Sequence, residues 1–215
     1  MKNELKKRIL SSIVLLPIIF FIIIKGSIYF NTLILLCLLI SLREWYFISK
    51  KPVLLVLGSF FIIFSFYSVY YLRNQGEYNF FLFIVLSCIA TDIGGYLFGK
   101  TLKGPKLTKI SPNKTYAGMF GGFIMTIIIG FLFYNNLKFL DLDISNISTS
   151  EIIIYSLIIS LFSQIGDLSV SFFKRKAKLK NTGNILPGHG GLLDRIDGMI
   201  FAFPSSYLIL KILYL

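Results

Sequence analysis

Residues 53–72 read VLLVLGSFFIIFSFYSVYYL, twenty consecutive residues without one charge. A helix rises 1.5 Å per residue, so a run of this length matches the roughly 30 Å hydrocarbon core of a bilayer. No water is available there to satisfy backbone N–H and C=O groups, so such a segment must be helical. The pattern repeats on both sides of it. Seven apolar segments are expected, at roughly Ile9–Ile24, Ser27–Leu42, Val53–Leu72, Phe80–Phe98, Ala117–Tyr134, Ile152–Phe173 and Leu192–Leu213. The fold class that follows is all-α, a polytopic transmembrane helical bundle. It forms one integral membrane domain over 1–215, with N-terminal spans over 1–80 and spans bearing the chemistry over 81–215. Of the 215 residues, 55% are hydrophobic and 15% charged, where a soluble domain carries about 25% charged residues. The opening MKNELKKR before an apolar run superficially resembles a signal peptide, but no small-x-small cleavage site follows, and it reads as a retained first span.

The chain carries 22 basic and 10 acidic residues, a formal charge of +12. The basic residues alternate from one connection to the next. The N-terminal tail, the connection at Arg43–Lys51, the one at Lys100–Lys114 and the one from Lys174 to Arg195 together hold 18 of the 22. The positive-inside rule puts these four segments in the cytoplasm, in a bacterial-type inner membrane. The lysines suit two roles, setting topology and attracting an anionic nucleotide or lipid. Nucleic acid is not an expected partner, because the basic residues are confined to short loops. Cys37 and Cys88 both lie in apolar runs and are expected to be free, buried residues rather than a disulfide or metal site.

Four acids stand in or beside apolar segments: Asp92, Asp167, Asp194 and Asp197. A carboxylate at that depth normally faces the bundle interior with a partner or an ion. Asp92 suits a structural ion pair with a lysine as well as a substrate contact. Asp194 and Asp197 share a helix face, and Asp167 lies one loop away. Three carboxylates at one membrane face resemble an Mg²⁺ site, in which substrate phosphates complete the oxygen shell. One histidine and two apolar cysteines are too few for zinc. Between Asp167 and Asp197 runs PGHGG, Pro187–Gly191, a tight turn feeding a helix N-terminus and so a ready anion site, with the only histidine, His189, inside it. A second constellation is SPNKT, Ser111–Thr115. Ser111 and Pro112 read as N-cap and N1 of the fifth helix, with Asn113, Lys114 and Thr115 lining its first turn and offering donors to a phosphate.

At these residues the sequence resembles the phosphatidate cytidylyltransferase (CDP-diacylglycerol synthase) family of integral membrane enzymes. The family motif runs Ser-x-x-Lys-Arg, four residues, Lys-Asp, then Pro-x-His-Gly-Gly and Asp-Arg-x-Asp. Here it stands as SFFKRKAKLKNTGNILPGHGGLLDRID, Ser171–Asp197. TDIGGYLFGK (Thr91–Lys100), SPNKTYAG (Ser111–Gly118) and QIGDLSVS (Gln164–Ser171) are similar to further family segments, and the likeness covers about residues 87–205. Asn181 stands where the motif has Asp, and Tyr116 and Ala117 replace Trp-Glu.

The resemblance implies transfer of CMP from CTP to phosphatidate, giving CDP-diacylglycerol and pyrophosphate. It implies Mg²⁺, alone or with a second cation, on Asp167, Asp194 and Asp197. Lys174, Arg175 and Lys180 would hold the polyphosphate or stabilise leaving pyrophosphate. Ser111, Asn113, Lys114 and Thr115 would grip a phosphate, His189 would orient a phosphate or an aspartate, and Asp92, Gly190, Gly191 and Arg195 would complete the substrate contacts. It further implies a homodimer. Two other classes compete. Asp194-x-x-Asp197-Gly198 mimics the opening of the CDP-alcohol phosphotransferase motif, but Phe201-Ala202 follows where Ala-Arg is needed. A transporter would use intramembrane acids for coupling ions, but no inverted repeat or paired broken helix is present.

Overall fold

The computed structural model describes residue 13 and residues 17–75, 78–108, 111–139, 148–185 and 190–213. Among these residues seven helices follow one another: α1 (residues 17–25), α2 (Ser27–Ile48), α3 (Pro52–Asn74), α4 (Tyr78–Leu102), α5 (Tyr116–Phe139), α6 (Thr149–Lys176) and α7 (Leu193–Leu213). Among the described residues there is no strand, only an isolated bridge between Lys106 and Thr115. The all-helical bundle expected from the apolar runs is what forms. The sequence leads to an expectation of about seven apolar segments. Five helices, α2 to α6, are long and apolar enough to cross a membrane among the described residues. α1 is described over too few residues to qualify, and α7 carries Asp194, Arg195 and Asp197 in its first turns and Lys211 near its end.

The pattern of burial is that of a protein dissolved in lipid. Large apolar side chains point outward, with Ile28 and Phe60 each 70% exposed. Hydroxyls fill the interior: Ser41, Ser68, Ser87, Thr126, Ser156 and Ser160 are all fully buried. Lipid tails are as apolar as leucine, so helices here associate through close packing and interhelical hydrogen bonds rather than hydrophobic burial. At the α4–α5 crossing a Cβ on Gly118 would stand 2.7 Å from the Gly95 carbonyl oxygen, a contact only glycine allows. Just inside that crossing Thr91 shares a hydrogen bond with Thr126 (2.8 Å) and donates to Ser160 (3.1 Å), tying α4, α5 and α6 together.

Pro204 lies inside α7, and its missing N–H releases the carbonyl four residues earlier, that of Ile200. Ser65 of α3 takes up that acceptor at 2.7 Å. Ser65 is buried, so Ser65→Ala is expected to leave a bare carbonyl in an apolar setting and to cost about 1–3 kcal/mol, read as a lower unfolding midpoint in detergent.

Two helix starts show why the ends lie where they do. Pro52 occupies the first turn of α3, and Ser148 with Glu151 forms a reciprocal capping box on α6. The last turn of α6 carries Lys174, Arg175 and Lys176, which suit the negative end of the helix dipole. Lys178 then takes a left-handed conformation (φ 61°) and turns the chain back toward α7. The basic connections share one end of the bundle: Trp45 of α2 stacks edge-on against Phe173 of α6 (5.1 Å), and Lys114 pairs with Asp167. The N-terminal lysines and the 140–147 connection lie outside the described residues.

Candidate active site

The site occupies the basic end of the bundle, in two adjoining parts. The first is a cavity of about 260 Å³ between α4, α5 and α6, lined by Asp92, Ser111, Asn113, Lys114, Thr115 and Asp167 among others. Four of the five SPNKT residues therefore line the same cavity as Asp167 and Asp92. Their local geometry differs from the expected helix start. Ser111 to Lys114 form a turn, closed by the Lys114 N–H on the Ser111 carbonyl (3.0 Å). Leu107 donates to Lys114 and Tyr116 to Pro105, so the segment folds back on 105–107 before any helix begins. α5 starts at Tyr116, and its cap is Thr115, whose hydroxyl accepts from the Gly118 N–H at 3.1 Å. Ser111 is not the N-cap, because the turn spends its backbone groups. Thr115→Ala is expected to cost about 1 kcal/mol through the lost cap, measurable as a lowered unfolding midpoint, whereas Ser111→Ala should leave α5 unchanged.

Lys114 pairs with Asp167, and Ser171 one turn later donates to the same carboxylate at 3.3 Å. Asp167 meets Asp197 where α6 crosses α7. Gly166 has no side chain, and the Asp197 backbone carbonyl fills the place a Cβ would take. Gly198 likewise lies against Ser163. Asp197 accepts its own helix's Gly198 N–H at 3.0 Å. The charges of Asp92, Asp167 and Asp197 act on one another, and those of Lys114 and Arg195 act on Asp92. Two of these carboxylates, Asp92 and Asp167, line the cavity together with Lys114, and Asp197 lies behind Asp167 at the helix crossing.

The second part is the connection from α6 to α7, and it separates Asp194 from the other two acids of the expected metal trio. Asp194 Oδ1 receives the Lys174 ammonium at 2.6 Å. Its Oδ2 receives the Thr182 N–H at 2.8 Å, the Gly191 N–H at 3.0 Å and the Thr182 hydroxyl at 3.1 Å. Asp194 thereby ties Lys174 of α6 and the loop residues Thr182 and Gly191 to the start of α7. Among the described residues no three His, Cys, Asp or Glu side chains are grouped to hold a metal ion. Asp167 and Asp197 fit an Mg²⁺ site of a different form, since Mg²⁺ is commonly held by one or two carboxylates plus substrate phosphates. The Lys114 ammonium is seated on Asp167, so a metal ion there would share the carboxylate with it.

Gly190 adopts a positive φ of 89°, and a Cβ there would stand 3.0 Å from Asp194 Oδ2 and 3.3 Å from the Asn181 side chain. Gly191 is buried against Thr182 and Glu44. Lys174 is half-buried, while Arg175, Lys180 and Arg195 are exposed around the loop, where they can meet an anion. His189 lies outside the described residues, as do Pro187 and Gly188.

Sequence reasoning missed three residues of this region. Thr182 is buried and bridges two carboxylates. Gln164 lines the cavity and donates to the Met119 carbonyl of α5 (3.4 Å). Glu44 of α2 is 2% exposed and accepts from Thr182, Leu192 and Leu193. Only Gln164 had a signal in the sequence, a polar residue one turn before Asp167 in an apolar run.

A sequence model of the cytidylyltransferase family matches residues 47–213. The phosphatidate cytidylyltransferase of Rickettsia bellii is 34% identical over 211 residues, covering 97% of this chain and 91% of that protein. That of Rickettsia felis is 33% identical over 97% of this chain and 93% of its own length. The Bacillus subtilis enzyme of the same name is 36% identical over 74% of this chain and 58% of its length. The matched span contains both loops, the cavity and the Asp167–Asp197 crossing, and the chain belongs to the cytidylyltransferase family.

Proposed function

We propose that this protein is a phosphatidate cytidylyltransferase of the bacterial inner membrane. A phosphate oxygen of phosphatidate attacks the α-phosphorus of CTP, the bond to the β-phosphate oxygen breaks, and CDP-diacylglycerol and pyrophosphate form. The observation that carries the reading is the cavity in which the Ser111–Thr115 turn and Lys114 face Asp167 and Asp92. Both substrates are polyanions, so their approach demands cationic and N–H donors at the reacting end of the bundle. Lys114 and Lys174 stand nearest the carboxylates and would offset phosphoryl charge. Arg175, Lys180, Arg195 and the backbone of Gly190 and Gly191 would bind the β- and γ-phosphates and the pyrophosphate leaving group, and His189 would orient a phosphate. Asp167 and Asp197 would hold Mg²⁺, which supplies charge neutralisation on the phosphoryl oxygens. The cavity opens beside lipid-facing side chains such as Tyr96, 64% exposed, so a diacyl substrate can enter from the bilayer. The working unit is a homodimer, and nucleic acid is not a partner.

Purified protein in liposomes is expected to incorporate labelled CMP from CTP into phosphatidate, to release pyrophosphate in equal amount, and to need a divalent cation. A folded preparation that instead releases CMP from CDP-diacylglycerol on addition of an alcohol would sink this reading in favour of the phosphotransferase. The orientation makes a separate expectation. In a background lacking Cys37 and Cys88, cysteines at 108 and 178 should react with an impermeant thiol reagent only from the cytoplasmic side. Labelling from the outer side alone would remove the access to cytosolic CTP on which the reaction depends.

A further inference from the structure

Glu44 is the least expected group in the molecule. It stands beside Arg43 near the end of α2, three residues before the span matched by the family, where an acid ordinarily faces water. It is 2% exposed. Its Oε1 accepts the Leu192 N–H at 2.8 Å, and its Oε2 accepts the Leu193 N–H at 2.9 Å and the Thr182 hydroxyl at 2.6 Å. Leu192 and Leu193 open α7, and their N–H groups are among those a helix leaves without an internal acceptor. A carboxylate from a helix almost 150 residues away therefore caps α7, at the positive end of its dipole.

The loop is built around this carboxylate. A Cβ on Gly191 would stand 2.5 Å from Glu44 Oε2, and one on Gly183 would stand 2.8 Å from Oε1. Two glycines thus let the backbone close over the acid on both sides. Thr182 ties the arrangement to Asp194, since its single hydroxyl proton lies within reach of Glu44 Oε2 and Asp194 Oδ2. Glu44 grips the end of the loop that starts α7, and Asp194 grips the loop from inside it. Asp197 is one helical turn beyond Leu193, so the direction in which its carboxylate meets Asp167 depends on how α7 begins.

We propose that Glu44 is a positioning residue for cytidylyl transfer: its carboxylate fixes Thr182 and the first turn of α7, and through that turn Arg195 and Asp197. The inference rests on the functional reading above. Glutamine has the same shape but only one accepting oxygen. In either orientation its NH₂ faces at least one N–H donor. Glutamate with its charge can satisfy all three donors at once.

Glu44→Gln should therefore speed amide hydrogen exchange at Leu192 and Leu193 by about tenfold or more, as expected for losing hydrogen bonds to a charged acceptor. Exchange in α4 and α5 should be unchanged. Turnover of CTP with phosphatidate should fall about tenfold or more in kcat, with folded yield and helix content near wild type. Thr182→Val, which leaves Glu44 in place, should loosen the same amides and lower kcat several-fold, and it serves if Glu44→Gln does not fold. Glu44→Asp keeps the charge on a shorter stem and should recover part of the rate lost by Glu44→Gln. The inference is overturned if Leu192 and Leu193 exchange as in wild type in the folded variants. It is equally overturned if exchange rises throughout the bundle and activity falls only in proportion to folded protein. Wild-type protein with protected Leu192 and Leu193 amides but no CMP transfer would defeat the functional reading instead. In that case the exchange arm still decides whether Glu44 holds the loop.

Discussion

Asp197→Asn and Asp167→Asn are each expected to lower CMP transfer by at least about a hundredfold while leaving the protein as stable as wild type or slightly more so. The size follows from weakening the hold on the Mg²⁺ that would neutralise phosphoryl charge, since losing one such electrostatic stabiliser usually costs about 10²–10³. The sign on stability is the informative part. Asp92, Asp167 and Asp197 act on one another as like charges in a partly buried setting. On the proposed function, such a cluster is unfavourable until a cation binds it. Neutralising one member relieves that repulsion, although Asp167→Asn also weakens the pair with Lys114. Mg²⁺ titration of residual activity should shift to higher concentration in both variants. If both variants keep the wild-type rate and the wild-type Mg²⁺ titration, Asp167 and Asp197 do not hold the metal.

Much of this was legible in the sequence, for reasons that differ from element to element. The spans were readable because a bilayer imposes length and apolarity directly: the expected Val53–Leu72 became Pro52–Asn74, and Ile152–Phe173 became Thr149–Lys176. α2 runs six residues beyond its expected end at Leu42, because Arg43 and Glu44 interrupt the apolar run without interrupting the helix. The SPNKT segment was conspicuous in the sequence but misread in form. The Ser-Pro pair has the composition of a helix start, and nothing local reports that Lys106 and Leu107 return to pair with Thr115 and Lys114. The acids were found because a carboxylate in an apolar run is conspicuous. Their grouping was not, since spacing puts Asp194 and Asp197 on one face and cannot say that Thr182, Gly191 and Lys174 converge on Asp194 alone. Glu44 shows the limit most sharply. Its partners are set by how α2 leans on the α6–α7 loop, a tertiary fact that no periodicity carries.

Asp194→Asn separates the two readings of the acid cluster, and its expected effect is large. Wild-type Asp194 takes the Lys174 ammonium on one oxygen and two backbone N–H groups on the other, with side chains only 8% and 12% exposed for the pair. Asparagine can replace one oxygen but presents an NH₂ on the other side, toward a donor in either orientation. Lys174 then keeps a charge in a half-enclosed site without its partner. Breaking such a pair from one side costs about 3–5 kcal/mol when fully buried, and the residual exposure here puts the expectation near the lower end, about 3 kcal/mol. Lys174→Met should cost a similar amount, and the double variant less than the sum, because neither charge is then left alone. Activity should fall with the order of the loop, seen as faster exchange at the Thr182 and Gly191 amides, while the Mg²⁺ concentration giving half-maximal rate stays at the wild-type value. A shift in that concentration as large as the one produced by Asp167→Asn would return Asp194 to the metal. Asp167, Asp194 and Asp197 would then close on a single ion once substrate is bound, with the Lys174 pair broken in that state.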